Sequence, residues 1–273
     1  MNKKIGFLQG RLSIPPESDV LQYVPENWES EFSLAKILNF GFIEYFNDRE
    51  KNSFNPLSSY NGVKNLKKKC NFYDFKNYSL CDDFFINNNI LAFRNIKKYY
   101  NEMLAKLRLL NIRIYILPLF EASYLKKDNY LKFKDVIVYI SKELLKKRIH
   151  LAIETNLEDK FFFKLLKECN TKNIYLVYDT GNRLKKKKNS YNEIINFGKK
   201  IIHVHIKDKD YKGKNVVLGT GKVNFFRIFR ALKKINYKKN FAFETNRGMH
   251  PFITMKNNLS YIFKIIKDAK FKI

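Results

Sequence analysis

Cysteine is scarce in this 273-residue chain: Cys70, Cys81 and Cys169 are the only three, widely spaced and without a CxxC pair. An odd count at such spacings suggests neither a disulfide framework nor a zinc ribbon, and it fits a reducing, cytoplasmic setting. Long apolar runs are missing too. No stretch reaches the roughly 20 residues needed to span a bilayer. At the amino terminus, MNKKIGFLQGRLS has four residues of mixed apolar character between its lysines and Gln9, too short for a signal-peptide core. The expectation is a soluble, unexported protein with no membrane partner. No Pro/Gly/Ser-rich linker interrupts the chain, so residues 1–273 read as one domain. No GxGxxG follows the first apolar run, which argues against an open dinucleotide-binding sheet.

Acidic residues are few: 26 Asp+Glu stand against 53 Lys+Arg, a net charge of +27. Such a balance attracts polyanions, and aromatic side chains among lysines can stack on bases. Most of this charge is lysine, accompanied by abundant Asn, Ile, Phe and Tyr, the usage an AT-rich coding sequence produces. Solvated lysine-rich helix faces therefore rank ahead of nucleic-acid binding, whose test is salt sensitivity. The densest run is Lys185 to Lys188.

What the chain does contain is one pattern repeated about eight times. A short β-rich run is followed by a polar turn and then by a longer segment with helical spacing of its apolar residues. The runs are IGFLQG at 5–10, GFIEYF at 41–46, YSLCDDF from Tyr78, IRIYILPLFEAS, IHLAIET, NIYLVYDT, KIIHVHIKD and NFAFET. Helices are expected in WESEFSLAKILNFG with Gly41 as its stop, from about Leu57 to Lys69, and in NIKKYYNEMLAKLRLL, YLKFKDVIVYISKELLKK, DKFFFKLLKEC, NSYNEIINFGKK, VNFFRIFRALKKI and MKNNLSYIFKIIKDA. Eight such units without a linker predict an α/β fold, a single (β/α)8 barrel.

Four successive strands of the second half each end on a metal-competent side chain: Glu154, Asp179, His205 and Glu244. One acid after one apolar strand is as readily a helix N-cap or a lysine partner. Recurrence at four strand ends points to a shared site. Three carboxylates and one imidazole suit one divalent ion, Mn²⁺ or Mg²⁺, and tolerate Co²⁺ or Zn²⁺. Four protein ligands on a six-coordinate ion leave two positions for adjacent oxygens of a hydroxy-ketone, whose cis-enediolate the ion would stabilise. Glu154 and Glu244, on separate strands, can act as base and acid from opposite faces of one carbon. His203 shares a strand face with His205 and is assigned to packing or to support of the site.

The order Glu, Asp, His, Glu in LAIETN, VYDTGN, HVHIKD and FAFETN resembles the xylose isomerase-like TIM barrels, in particular sugar-phosphate isomerases and epimerases such as ketose 3-epimerases. IGFLQGRLS, SLCDDF, ILPLFEAS and LGTGKVNF fall where such proteins carry strand-end motifs. The resemblance implies one ion on Glu154, Asp179, His205 and Glu244, an acid/base pair of Glu154 and Glu244, and a keto sugar or sugar phosphate as substrate. Two positions depart from the pattern. Asn182 stands where many members carry histidine three residues after the metal aspartate, and Tyr211 where several carry arginine six residues after the metal histidine. Asn182 can still hydrogen-bond a hydroxyl but cannot shuttle a proton.

Substrate contacts are expected from Gln9, Arg11, Glu44, Asp82, Glu121, Asn182, Lys207 and Arg247, with Lys222 as a further anion contact. Arg247 is the preferred phosphate or carboxylate partner, because a guanidinium matches paired oxygens. The two glycines of LGTGK do not by themselves define a phosphate cradle. Within the same superfamily an endonuclease IV-like abasic-site nuclease is the competing reading. Its histidine-rich trinuclear zinc cluster draws on early strands, whereas the histidines here are His150, His203, His205 and His250. A non-catalytic carbohydrate-binding barrel is the third alternative. Barrels of this kind often pair, so a homodimer or homotetramer is expected.

Overall fold

The computed structural model describes residues 2–14, 22–184 and 189–273, so the lysine run 185–188 lies outside the described residues. Ten strands are described: β1 (Asn2–Leu8), β2 (Phe40–Asn47), β3 (Lys76–Asp82), β4 (Ile114–Pro118), β5 (His150–Glu154), β6 (Ile174–Asp179), β7 (Ile201–Ile206), β8 (Asp208–Lys209), β9 (Asn215–Val216) and β10 (Asn240–Phe243). Eight of them close into a barrel in the order β1-β10-β7-β6-β5-β4-β3-β2, and β8 and β9 form a separate small hairpin. The barrel ladder is parallel, for example Phe7 opposite Phe243 and Ala242 opposite His205. Parallel neighbours put every strand's carboxyl end at the same rim, where the loops that carry chemistry begin.

The intervening helices are α1 (Ser30–Ile37), α2 (Tyr60–Phe72), α3 (Phe84–Asn87), α4 (Ile96–Leu109), α5 (Lys134–Leu145), α6 (Asp159–Cys169), α7 (Ser190–Phe197), α8 (Phe225–Lys234) and α9 (Pro251–Asp268). The expected α6 segment, DKFFFKLLKEC, coincides with the observed helix. The expected stop at Gly41 does not hold, because that residue lies inside β2. Asn39 ends α1 with φ 62°, and the same left-handed turn is made by Asp74, Asn111, Arg148, Asn170, Asn236 and Lys270 after later helices. At the four asparagines and Asp74 a short polar side chain tolerates this conformation, so asparagine takes over a role usually given to glycine.

The chain divides into two compact units, residues 1–43 with 177–273, and residues 44–176. In the first, Phe7 packs on Phe40 at 4.9 Å between ring centroids, and Phe40 on Phe243 at 6.1 Å. Gly6 is dictated by this core: a Cβ there would lie 2.5 Å from the Phe42 ring. In the second, Phe84, Phe85, Phe93, Tyr99, Tyr100 and Tyr115 form one continuous aromatic cluster between β4 and the helices α3 and α4. Ring pairs at these separations add roughly 0.5–1.5 kcal/mol each beyond the area they bury. Among the described residues no helix is long and apolar enough to cross a membrane.

Candidate active site

Three of the four expected ligands belong to the first unit. Asp179 is the last residue of β6, His205 lies one residue from the end of β7, and Glu244 directly follows β10. Backbone bonds hold these strand ends level: Thr180 N donates to the His205 carbonyl and Glu244 N to the Ile206 carbonyl, each at 3.0 Å. Each of the three side chains offers a ligand atom within 4.8 Å of the others, and all three are buried. Two hard carboxylate oxygens and one imidazole nitrogen converging in this way can hold a divalent ion.

Their surroundings make the convergence tolerable. Asp179 Oδ1 accepts from the backbone N–H groups of Gly181 (2.8 Å) and Asn182 (2.6 Å), which leaves Oδ2 turned to the Lys207 ammonium at 2.9 Å. The same ammonium lies 2.5 Å from Glu244 Oε1, and His205 Nδ1 lies 2.9 Å from Glu244 Oε2. Burial alone would raise the Glu244 carboxyl, but Lys207, His205 and Arg11 outweigh it and hold the group well below the usual carboxylate range. Lys207 is itself pinned by Thr180, whose hydroxyl donates to the Lys207 carbonyl (2.6 Å) and accepts from its N–H (2.8 Å). Gln22 bridges the cluster from the loop after β1, donating to Glu244 Oε1 and accepting from Arg11.

The family model described as xylose isomerase-like TIM barrel matches residues 32–264. The chain belongs to this family. No curated protein matches it in sequence. Among solved structures, an L-ribulose 3-epimerase superposes with a TM-score of 0.75 at 16% identity, covering 98% of this chain and 95% of the other. A D-allulose 3-epimerase from Methylomonas sp. superposes at 0.73 and 16% identity, covering 96% and 97%. The IOLI protein with a binding zinc atom superposes at 0.70 and 16% identity, covering 97% of each chain. At this identity the likeness establishes the fold.

In this xylose isomerase-like barrel the other expected contacts separate by environment. Arg11 is fully buried, 4.0 Å from Glu244 Oε1, and Gln9 is buried in the same turn. That turn is built on Glu31, whose carboxylate accepts from the N–H groups of Gly10 (2.7 Å), Leu12 (2.7 Å) and Ser13 (3.0 Å). Burial raises the Glu31 carboxyl, with these donors and Arg247 offsetting part of the effect. Arg247, expected to meet a substrate anion, instead directs its guanidinium at the carbonyl oxygens of Gly10 and Tyr23. It ties the loop after β10 to the loop after β1. The LGTGK segment is likewise committed: Asp208 accepts from Gly219 N and Gly221 N at 3.0 Å and from Val223 N at 3.1 Å. Its glycine N–H groups are spent on a carboxylate of the protein.

In the second unit, Glu154 closes β5 with a buried side chain, and its carbonyl accepts from Leu119 N at 2.9 Å. Glu44 is buried and accepts from the Ser79 hydroxyl. Asp82 accepts from Tyr99 of α4 (2.7 Å), from Tyr115 of β4 and from Asn47 at the end of β2 (2.7 Å). Burial still raises its carboxyl despite these donors. Glu121 forms an exposed ion pair with Arg49 at 2.9 Å. Asp82 and Glu121 thus have the packing and salt-bridge roles common for single acids after strands. Sequence reasoning missed Thr180 and Gln22. Thr180 adjoins a predicted ligand, whereas Gln22 lies 222 residues from its partner and carries no local signal.

Proposed function

We propose that this barrel is a divalent-metal-dependent isomerase or epimerase of a keto sugar or sugar phosphate. The observation that carries the reading is the buried convergence of Asp179, His205 and Glu244 at neighbouring strand ends. Glu154, at the end of β5 in the same barrel, is the proposed fourth ligand. Family membership and the likeness to structures named as sugar epimerases support the same chemistry.

The donor set fits a hard divalent ion, which when bound would stabilise negative charge developing on two adjacent substrate oxygens. Glu244 and Glu154 are the proposed proton-transfer pair, one removing the proton beside the carbonyl and the other delivering one to the opposite face. Glu244 is held in its ionised form by Lys207 and Arg11, the state needed to accept a proton. The Lys207 ammonium, between Asp179 and Glu244, adds positive charge to the cluster at which an enediolate would form. Burial of the cluster keeps bulk water from the reacting carbon during the reaction, and each glutamate exchanges its proton with solvent between turnovers, so solvent deuterium reaches the product.

The test is solvent-deuterium incorporation beside the carbonyl, run in D2O with Mn²⁺ over a panel of ketoses and ketose phosphates. Glu154→Gln and Glu244→Gln should each abolish exchange, with metal content measured in parallel. Exchange that persists in both variants on a proven substrate would overturn the two-glutamate mechanism. Metal binding without exchange on any ketose would favour a carbohydrate-binding role.

A further inference from the structure

Lysine is distributed unevenly along the strands of the first unit. Three neighbouring strands are each entered through a lysine pair: Lys3 and Lys4 at the start of β1, Lys199 and Lys200 directly before β7, and Lys238 and Lys239 directly before β10. The ladder, with Ile5 opposite Phe241 and Asn240 opposite His203, sets these entries side by side. The segment after α9 joins them, because Phe271 packs on Phe241 of β10 at 5.9 Å and carries Lys270 and Lys272 to the same end. Lys4 and Lys200 are half-buried and the other six are exposed.

Helix ends account for only part of this charge. Lysines in the last turns of α1, α8 and α9 complement the helix dipole, but the three pairs and the segment after α9 lie outside the α-helices. A lysine-rich composition alone would load both ends of the strands alike. Instead, Asp268 is the one acid of the unit at this end among the described residues. The others stand before or in the first turn of a helix, or after a barrel strand, at the opposite end with Asp179 and Glu244. The six residues of β7, at about 3.3 Å each, put roughly 20 Å between the two ends. That exceeds the Debye length of about 8 Å at physiological ionic strength, so acids at one end do not offset lysines at the other.

The side chains around these lysines select the kind of anion. The positions hold ammonium groups and no guanidinium, so the forks that grip single phosphates of a nucleic acid are missing from them. The rings among them, Tyr237 and Phe271, are buried and offer bases no stacking surface. The more exposed of the two projecting apolar side chains is aliphatic: Ile37, the last residue of α1 beside Lys36, is 69% exposed, against 42% for Phe263 of α9. Ammonium groups beside a projecting aliphatic side chain match the head groups and acyl boundary of an anionic bilayer. We propose that the end of this unit where β1, β7 and β10 begin docks on an anionic lipid surface. No spanning helix is needed to lie on a bilayer. Asp179, His205 and Glu244, at the far ends of their strands, then face away from the lipid.

The test is cosedimentation with vesicles of phosphatidylcholine alone and of phosphatidylcholine with about one third phosphatidylserine. It compares wild type, Lys199→Glu/Lys238→Glu/Lys239→Glu, the matching arginine triple, Ile37→Ser, and a control triple of equal charge at the opposite end, Lys212→Glu/Lys214→Glu/Lys256→Glu. Wild type should bind the anionic vesicles and not the neutral ones, and the first glutamate triple should lose affinity roughly tenfold or more. The arginine triple should match wild type, and the control triple should lose far less. Ile37→Ser should weaken vesicle binding several-fold in high salt, where the lysine contribution is screened. Equal binding to neutral and anionic vesicles, or a control triple that loses as much as the first, would overturn the proposal. Displacement from anionic vesicles by duplex DNA at equal total phosphate, with Ile37→Ser behaving as wild type, would put nucleic acid on this end and overturn it too. None of these readouts depends on the reaction proposed above.

Discussion

Lys207→Met tests the electrostatics of the candidate active site. The Lys207 ammonium is almost fully buried and lies 2.9 Å from Asp179 and 2.5 Å from Glu244. At an effective dielectric of about 20, the 2.9 Å contact has a gross Coulomb energy of about 6 kcal/mol. Desolvation of the three groups offsets much of this, so the measurable quantity is the cost of stranding two buried carboxylates, about 3–5 kcal/mol. For a chain of this size that corresponds to a melting temperature lower by about 10 °C in metal-free protein. Mn²⁺ should bind about tenfold more tightly to the variant, because a competing cation has left its oxygens. An ion at 100 times its dissociation constant would then restore about 2.7 kcal/mol. The acid limb should move as well. Glu244 has a depressed folded-state pKa, so its stabilisation is present above its unfolded value and is lost as pH falls through the folded one. Without Lys207 that loss begins at higher pH. The assay is differential scanning calorimetry of metal-free and Mn²⁺-loaded protein from pH 4 to 8, with calorimetric Mn²⁺ titration. Metal-free Lys207→Met melting with wild type, or binding Mn²⁺ more weakly, would refute the reasoning.

Other substitutions probe the supporting structure. Asp208→Ala leaves four backbone N–H groups without their acceptor and should cost about 1–3 kcal/mol, with faster amide exchange at Lys209, Gly219, Gly221 and Val223 as its local signature. Tyr115→Phe removes a donor to buried Asp82 and should cost about 1–3 kcal/mol at pH 8. Because the Asp82 carboxyl is raised, its proton is taken up by the folded protein before the unfolded chain, so this deficit should shrink at pH 5. Chemical denaturation at the two pH values checks the sign, and a deficit that grows on acidification would contradict it.

Period and punctuation made most of the fold legible. The runs ending at Glu154, Asp179 and Glu244 read as strands because they are short and almost wholly apolar, as buried parallel strands require, and the run ending at His205 differs only in the His203–His205 pair on one face. The helix stop expected at Gly41 failed because Asn39 adopts the left-handed turn first, and nothing local distinguishes that asparagine from the others. Asp82 shows a different limit. In YSLCDDF, alternation separates Ser79 and Cys81 from Leu80 and Asp82, but what each set meets is settled by partners on other elements, for Asp82 by Tyr99 and Tyr115.

The sequence by itself determined the eight-unit barrel and four metal-competent strand ends, because burial on both faces of a parallel strand and a polar terminus leave a local imprint. Tertiary structure decided how the charges are shared. It set Lys207 between Asp179 and Glu244, brought Gln22 across 222 residues to Glu244, and turned Arg247 onto loop carbonyls. Electrostatic balance depends on distance in space, and only chain folding brings residues so remote in sequence within reach of one another.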